Sequence, residues 1–202
     1  MRQIGLDVSR ETMERLERYA ALLTKWNPSI NLVSRSTLEN MWDRHFIDSA
    51  QMYQYAPQGA KLWADFGSGG GFPGLVIAIL AAEKSPDLQV TLVESDTRKV
   101  AFLRTVIRET GISALTINDR VENIPSLKAD VVSARALADL PMLLDFADFH
   151  LGQGGVALFP KGVNWEKEVL EARQTWRFAC QRFKSETDAG AVILRIEDIE
   201  HV

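Results

Sequence analysis

Apolar positions recur along this 202-residue chain with two different periods. Up to about residue 58 the period is helical. Met13, Leu16, Ala20 and Leu23 fall three or four apart and share one face of a helix. That helix is expected to end before Asn27-Pro28, because a proline cannot continue the hydrogen-bond ladder. Ser36-x-x-Glu39 has the form of a capping box and is expected to open a second helix, with Leu38, Met41, Trp42, Phe46 and Met52 as its apolar face. From Lys61 the pattern changes. Short apolar runs around Trp63, Val93, Leu115–Ile117, 130–133 and 156–159 alternate with helical patterns from Leu75, from Thr97, over 140–146 and over 166–173. Strand alternating with helix predicts a doubly wound parallel sheet.

The end of the chain departs from that rhythm. Two strand-like segments, 178–183 and 191–196, are separated only by the polar stretch from Lys184 to Asp188, which leaves no room for a crossover helix. They are expected to form an antiparallel hairpin. A mostly parallel seven-stranded sheet closed by such a hairpin is the Rossmann-like architecture of class I S-adenosylmethionine-dependent methyltransferases. The chain is expected to divide into an N-terminal helical extension, 1–58, and a domain of that architecture, 59–202, packed as one globular unit.

The most informative stretch is Asp65-Phe66-Gly67-Ser68-Gly69-Gly70-Gly71-Phe72-Pro73-Gly74. Leu62, Trp63, Ala64 and Phe66 read as a buried strand that stops where the glycines begin. Gly67, Gly69 and Gly71 permit positive φ and a close backbone approach to a ligand. Pro73 suits the first turn of the following helix. Gly69, Gly71 and Gly74 also spell G-x-G-x-x-G, the pattern that cradles a pyrophosphate. Asp65 shifts the balance: a carboxylate beside the loop repels a pyrophosphate but suits the ammonium and sulfonium charges of S-adenosylmethionine. About 20 residues beyond the loop, a strand Val90-Thr91-Leu92-Val93 ends in Glu94, where such folds bond ribose hydroxyls.

Composition narrows the remaining choices. The length suits one α/β domain with a small appendage, and no apolar run approaches membrane-spanning length. Met1-Arg2-Gln3-Ile4-Gly5 leads into a charged helix rather than the core of a signal peptide, so a cytoplasmic location and no membrane partner are expected. A single cysteine, Cys180, excludes an internal disulfide, and His45, His150 and His201 lack ligand spacing, so no metal is expected. A monomer is expected. The net charge of -4 argues against non-specific coating of nucleic acid. It leaves room for a local basic face: Arg98, Lys99, Arg104 and Arg108 share a predicted helix, while Arg35, Arg44, Arg120, Arg135 and Lys161 fall near element ends.

Three clusters together resemble a known family. Asn31-Leu32-Val33-Ser34, Arg44-His45-Phe46-Ile47-Asp48-Ser49 and the glycine loop with its Phe72-Pro73-Gly74 ending are similar to the glucose-inhibited division protein B family, bacterial ribosomal RNA small-subunit methyltransferases G. The likeness continues through Arg120-Val121-Glu122, Ser133-Ala134-Arg135-Ala136 and Lys161-Gly162, and so covers nearly the whole chain. It implies methyl transfer from S-adenosylmethionine to N7 of a guanine in the decoding-region loop of 16S ribosomal RNA, as naked RNA or in the small subunit. Carried over by position, Gly67 and Phe72 line the cofactor, Glu94 its ribose, Val121 and Glu122 its adenine, and Arg135 its methionine end. Where family members tend to have Lys-Arg before the Phe-Leu pair, this chain has Arg98-Lys99.

The residues can also be tested against the chemistry alone. Methylation at a pyrimidine C5 needs a cysteine nucleophile, and Cys180 falls mid-strand in the hairpin. Methylation of an exocyclic amine uses an Asn/Asp-Pro-Pro-aromatic loop after the fourth strand, where this chain reads Ser133-Ala134-Arg135-Ala136. Guanine N7 carries an in-plane lone pair and needs no base, so positioning should dominate catalysis, with Arg135 the one candidate contributor. Arg135 could instead pair with Asp139, four residues on, and Arg44 with Asp48. Arg44, His45 and Lys161 are candidates for RNA contact, against a polar patch joining appendage to domain. Phe72 could plug the core beneath the loop. Another methyl acceptor and a catalytically silent adenosylmethionine- or RNA-binding protein are the alternatives, with nicotinamide chemistry more distant.

Overall fold

The computed structural model describes Met1 and residues 5–202. The reading of the first five residues rests on Arg2, Gln3 and Ile4, which lie outside the described residues. Helix α1 (Arg10–Ile30) begins where the Thr12 N–H donates to the Ser9 hydroxyl at 3.1 Å. It runs through Pro28 instead of stopping before Asn27. Pro28 falls in the last turn, where its missing N–H costs a single ladder bond. Buried Asn27 holds the exit: the Asn31 N–H donates to its carbonyl, and the Val33 N–H donates to its Oδ1 at 2.8 Å.

The expected second helix is broken into α2 (Arg35–Leu38), a π-helical stretch (Trp42–Ile47), α3 (Asp48–Ala50) and a 3-10 turn (Gln51–Tyr55). The capping box does not form. Ser34 takes the N-cap position, Ser36 lies inside α2, and Glu39 already ends it. The π-helical stretch brings His45, Phe46 and Ile47 into the interior together, which a regular helix face would not do for three consecutive residues.

From β1 (Leu62–Phe66) the alternation follows the hydrophobic runs: α4 (Gly74–Lys84), β2 (Gln89–Val93), α5 (Thr97–Thr110), β3 (Leu115–Ile117), β4 (Ala129–Ala134), α6 (Leu140–His150), β5 (Leu151–Lys161) and α7 (Trp165–Ala172). Strands β6 (Trp176–Lys184) and β7 (Val192–His201) close the chain. The seven strands lie in the order β3-β2-β1-β4-β5-β7-β6, parallel except that β7 runs antiparallel between β5 and β6. β5 extends beyond 156–159 because its first residues continue alongside β4 through a register shift at Ala129 to Val131.

One face of the sheet packs Trp63, Val90, Leu92 and Val131 against α4 and α5, and Leu16, Tyr19, Leu23 and Phe46 of the N-terminal helices belong to that same core. The other face packs Phe66, Val93, Val132 and Phe159 against α6 and α7. Chain order reverses between β1 and β4, so the crevice at their carboxyl ends is the place where a doubly wound sheet receives a ligand.

Candidate functional site

Strand β1 delivers the chain into a turn whose backbone needs glycine: φ is +61° at Gly67, +53° at Gly69 and +93° at Gly71. The turn is fixed from both sides. Beneath it, the fully buried Tyr19 of α1 donates its hydroxyl proton to the Gly70 carbonyl, and its ring stacks on Phe72 at 5.2 Å between centroids. In front of it, Glu94 at the end of β2 accepts from the Gly69 N–H and the Asp96 N–H, each at 2.8 Å. The Asn118 amide donates to the Glu94 carbonyl at 3.1 Å and ties in the end of β3.

Asp65 is fully buried. Its Oδ1 accepts from the Ser133 hydroxyl at 2.7 Å, and that hydroxyl accepts from the Trp63 indole N–H at 2.8 Å. Its Oδ2 completes no hydrogen bond, although the N-terminus of α4 lies beside it at Gly74. Burial pushes its pKa up to about 6, with Ser133 and Ser68 and the Gly74 N–H resisting the shift. The charge expected beside the cofactor thus sits under the loop, where it braces β1, β4 and the start of α4.

Above the loop is a cleft of about 380 Å³ lined by Gly67, Glu94, Val121, Glu122, Leu137 and Met142, among others. It joins four of the expected cofactor residues: Gly67, Glu94, Val121 and Glu122. Gly69 reaches it through its bond to Glu94. Gly71 and Phe72 face away from it. Phe72 is buried among Tyr19, His45 and Phe46, with the Arg135 guanidinium 5.0 Å above its ring. The fit to an adenosyl group lies in this arrangement. A carboxylate is held by two backbone N–H groups at the end of β2, and apolar Val121, Leu137 and Met142 face it across the cleft. A side chain at Gly67 would reach within 2.6 Å of Leu137.

A second cavity of about 380 Å³ meets the first at Ala136 and is lined by Arg44, Asp48, Arg135, Lys161, Glu168 and Thr187, among others. Here the pairings differ from those the sequence suggested. Arg44 pairs with Asp188 at 2.7 Å rather than with Asp48, because the β6–β7 loop folds back over the appendage. Arg135 turns away from Asp139, which caps α6 by accepting from the Met142 N–H. Its Nη1 lies 3.9 Å from Asp48 Oδ2 and donates to the Arg44 carbonyl at 3.2 Å. Lys161 is nearly buried and bonded to Glu168 at 2.7 Å and to the Ala138 carbonyl at 3.2 Å. His45 is buried too: its Nε2 bonds Thr37 Oγ1 at 2.8 Å, and its ring stacks on Phe72 at 4.9 Å. Burial, then the charges of Arg135 and Arg44, push its pKa down to about 3, so it is neutral. Of the three proposed RNA contacts, Arg44 alone is substantially exposed.

Sequence reading missed how distant segments are joined: the role of Tyr19, that of Ser133 as the partner of Asp65, and the Ser185–Thr187 loop. Tyr19 had a signal, a phenol on the apolar stripe of α1 that needs a polar partner. Cys180 lies half-buried on β6, at the sheet edge remote from β1 and β2, with burial raising its pKa.

Comparison with known proteins adds the lineage. The family described as GidB, rRNA small subunit methyltransferase G, matches residues 12–191. A ribosomal RNA small subunit methyltransferase G of Ruegeria sp. (strain TM1040) is 56% identical over 199 residues, 98% of this chain and 97% of that protein. The protein of the same name from Ruegeria pomeroyi is 54% identical, over 98% and 96%. Among solved structures, a ribosomal protein L11 methylase from Lactobacillus delbrueckii subsp. bulgaricus superposes with a TM-score of 0.59 at 17% identity, over 74% of this chain and 76% of that one. TYW2 of M. jannaschii in complex with AdoMet gives 0.55 at 14% identity, over 84% and 78%. These two likenesses concern the fold.

Proposed function

The chain belongs to the ribosomal RNA small subunit methyltransferase G family, and we propose that it methylates N7 of a guanine in 16S ribosomal RNA, as a monomer in the cytoplasm, using S-adenosylmethionine. S-adenosylmethionine supplies a methyl group made electrophilic by its sulfonium charge. Glu94 is the residue to bond the ribose hydroxyls, Val121 and Glu122 those to contact the adenine, and Gly67 the point of closest backbone approach. Asp65 acts from below by holding the loop in register with β4.

The chain's own task is placement. Guanine N7 presents a lone pair in the ring plane, so no side chain has to remove a proton or form a bond to the base. The residues instead hold the ring plane, exclude water and supply a fixed polar environment. The acceptor base has to leave its stack to reach a recessed cavity, at lower cost from a single-stranded loop than from a duplex. What supports this reading above all is the meeting of two cavities at Ala136, neither of them lined by the chain's single cysteine.

The test is transfer of labelled methyl from S-adenosylmethionine to small ribosomal subunits, or their naked RNA, from cells lacking this gene, followed by nucleoside analysis. The expected product is 7-methylguanosine at one position. Donor binding without transfer to either form would overturn the proposal.

A further inference from the structure

The second cavity contains three acid–base pairs, and they differ in how fully each is engaged. Glu168 is spent on structure: its Oε2 accepts from Lys161 at 2.7 Å and from the Leu140 N–H, which starts α6, at 3.1 Å. Arg44 and Asp188 form a short pair at the rim, and Asp188 Oδ1 also accepts from the Gly190 N–H. Asp48 and Arg135 are different. Asp48 Oδ1 is held by Gln51 Nε2 at 3.0 Å, Thr187 Oγ1 at 3.1 Å and Ser185 Oγ at 3.3 Å. Among the described residues its Oδ2 meets only Arg135 Nη1, at 3.9 Å, beyond hydrogen-bond distance. Arg135 in turn makes one hydrogen bond, to the Arg44 carbonyl, while Phe72 fixes the plane of its guanidinium.

A carboxylate locked by three donors on one oxygen and left open on the other is an acceptor aimed at something. Its side chain is only 17% exposed, and that of Arg135 is 21% exposed. Neither Asp48 Oδ2 nor the Arg135 guanidinium is sealed from the cavity, so a ligand entering it can reach both and supply the partners they lack within the protein. Burial raises the Asp48 pKa, against the opposing charge of Arg135 and the Thr187 and Ser185 hydroxyls.

The edge of guanine matches this arrangement. In order around the ring it offers the N2 amine, N1–H, the O6 acceptor and N7. We infer that Asp48 and Arg135 read the acceptor base: Asp48 Oδ2 accepts from N1–H and the N2 amine, and Arg135 donates to O6, which leaves N7 turned toward Ala136 and the donor cleft. Adenine presents an amine where Arg135 needs an acceptor and a bare N1 where Asp48 needs a donor. The pair therefore selects the base as well as placing it. This assignment rests on the guanine methylation proposed above and goes beyond it by naming the residues that choose the base.

The experiment compares small subunits reconstituted with ligated RNA carrying guanine or inosine at the methylated position; inosine lacks only the N2 amine. The wild type should methylate inosine with a kcat/KM about 10-fold lower than guanine. In Asp48→Asn, which keeps an oxygen for the Ser185 and Thr187 hydroxyls but turns an amide N–H2 toward the base, transfer to guanine should fall about 100-fold and the two bases should become equal within twofold. Affinity for S-adenosylmethionine by calorimetry should stay within threefold. Arg135→Lys should lower transfer to guanine about 30-fold while keeping the inosine ratio and a donor affinity within threefold of the wild type, which separates base reading from contact with the methionine end of the donor, and it carries the test alone if Asp48→Asn does not fold. An inosine ratio near one in the wild type, a ratio of 10 retained in Asp48→Asn, or full activity in Arg135→Lys would overturn the assignment while leaving the methyltransferase reading intact. Absence of transfer by the wild type would overturn that reading, and this one with it.

Discussion

The two cavities that meet at Ala136 are built in opposite ways. The cleft proposed for the donor is made by backbone: a strand end, a turn of glycines and two N–H groups that hold Glu94. The cavity proposed for the acceptor is made by side chains from the appendage, the β4–α6 loop, β5 and the β6–β7 loop, held by charge and hydrogen bonds. The first has few ways to change without breaking, because a backbone cannot move aside. The second mixes a nearly buried pair, Lys161 with Glu168, and an exposed one, Arg44 with Asp188, whose loss should leave the fold standing.

The largest effect is expected where backbone and packing coincide. Gly71 has φ +93°, and a Cβ there would come within 2.6 Å of the Tyr19 hydroxyl in the core. Gly71→Ala should cost about 3 kcal/mol or more of stability, from strain and overpacking together, and abolish donor binding. Gly162, which lines the acceptor cavity, has nothing within 4 Å of such a Cβ, and Gly162→Ala should stay within about 0.5 kcal/mol of the wild type. Urea unfolding of the two variants checks the contrast. Equal losses would erase the distinction between the two sides.

Glu94 comes next. Both its oxygens accept from backbone, so Glu94→Gln turns an amide N–H2 toward one of those N–H groups and removes the charge. The charge-assisted bond proposed from Glu94 to the ribose is worth about 1.5–3 kcal/mol, and its loss corresponds to a donor affinity lower by roughly 10- to 100-fold. Calorimetric titration with S-adenosylmethionine measures it. An unchanged affinity would remove Glu94 from the site.

How far each side could be read from the sequence follows from the same difference. The sheet, its antiparallel ending and the donor cleft rest on short-range patterns. Strand, glycines and Glu94 span 62–94, and the register β1 to β2 is fixed by that single crossover. The acceptor side depends on contacts spanning 91 residues between Arg135 and Arg44 and 144 between Arg44 and Asp188. No local period encodes these, so the intrahelical pairs Arg44–Asp48 and Arg135–Asp139 looked available and lost to tertiary partners. The second helix failed for a related reason: its capping signal was local, whereas the burial of His45, Phe46 and Ile47 was decided by the core they enter.

Asp65 gives a smaller effect with a diagnostic sign. Its folded pKa of about 6 lies above the ordinary 3.8, so ionising it opposes folding. The penalty is absent below about pH 4, grows as pH rises from there to 6, and is complete above. Asp65→Asn should therefore be more stable than the wild type at pH 7.5, by at most about 3 kcal/mol and less where the amide holds Ser133 poorly. The two proteins should converge by pH 4. Denaturant unfolding at both pH values decides. A wild type more stable at pH 7.5 would mean that Ser133 and the Gly74 N–H fully offset the buried charge.

The smallest effect belongs to Arg44 and Asp188, whose side chains remain 49% and 39% exposed despite the 2.7 Å contact. Such a pair is screened by solvent and worth about 0–1 kcal/mol. Arg44→Ala should leave stability within about 0.5 kcal/mol of the wild type and donor affinity unchanged, since the guanidinium touches neither the glycine loop nor Glu94. RNA carries one phosphate per nucleotide, so an exposed arginine at the cavity rim acts on it mainly through charge. The loss should appear as a several-fold higher KM for the small subunit that narrows as salt is raised, with kcat held. A fall in kcat at constant KM would instead place Arg44 with Asp48 and Arg135 in positioning the base, and the boundary between rim and reading pair would have to be redrawn one turn further along the appendage.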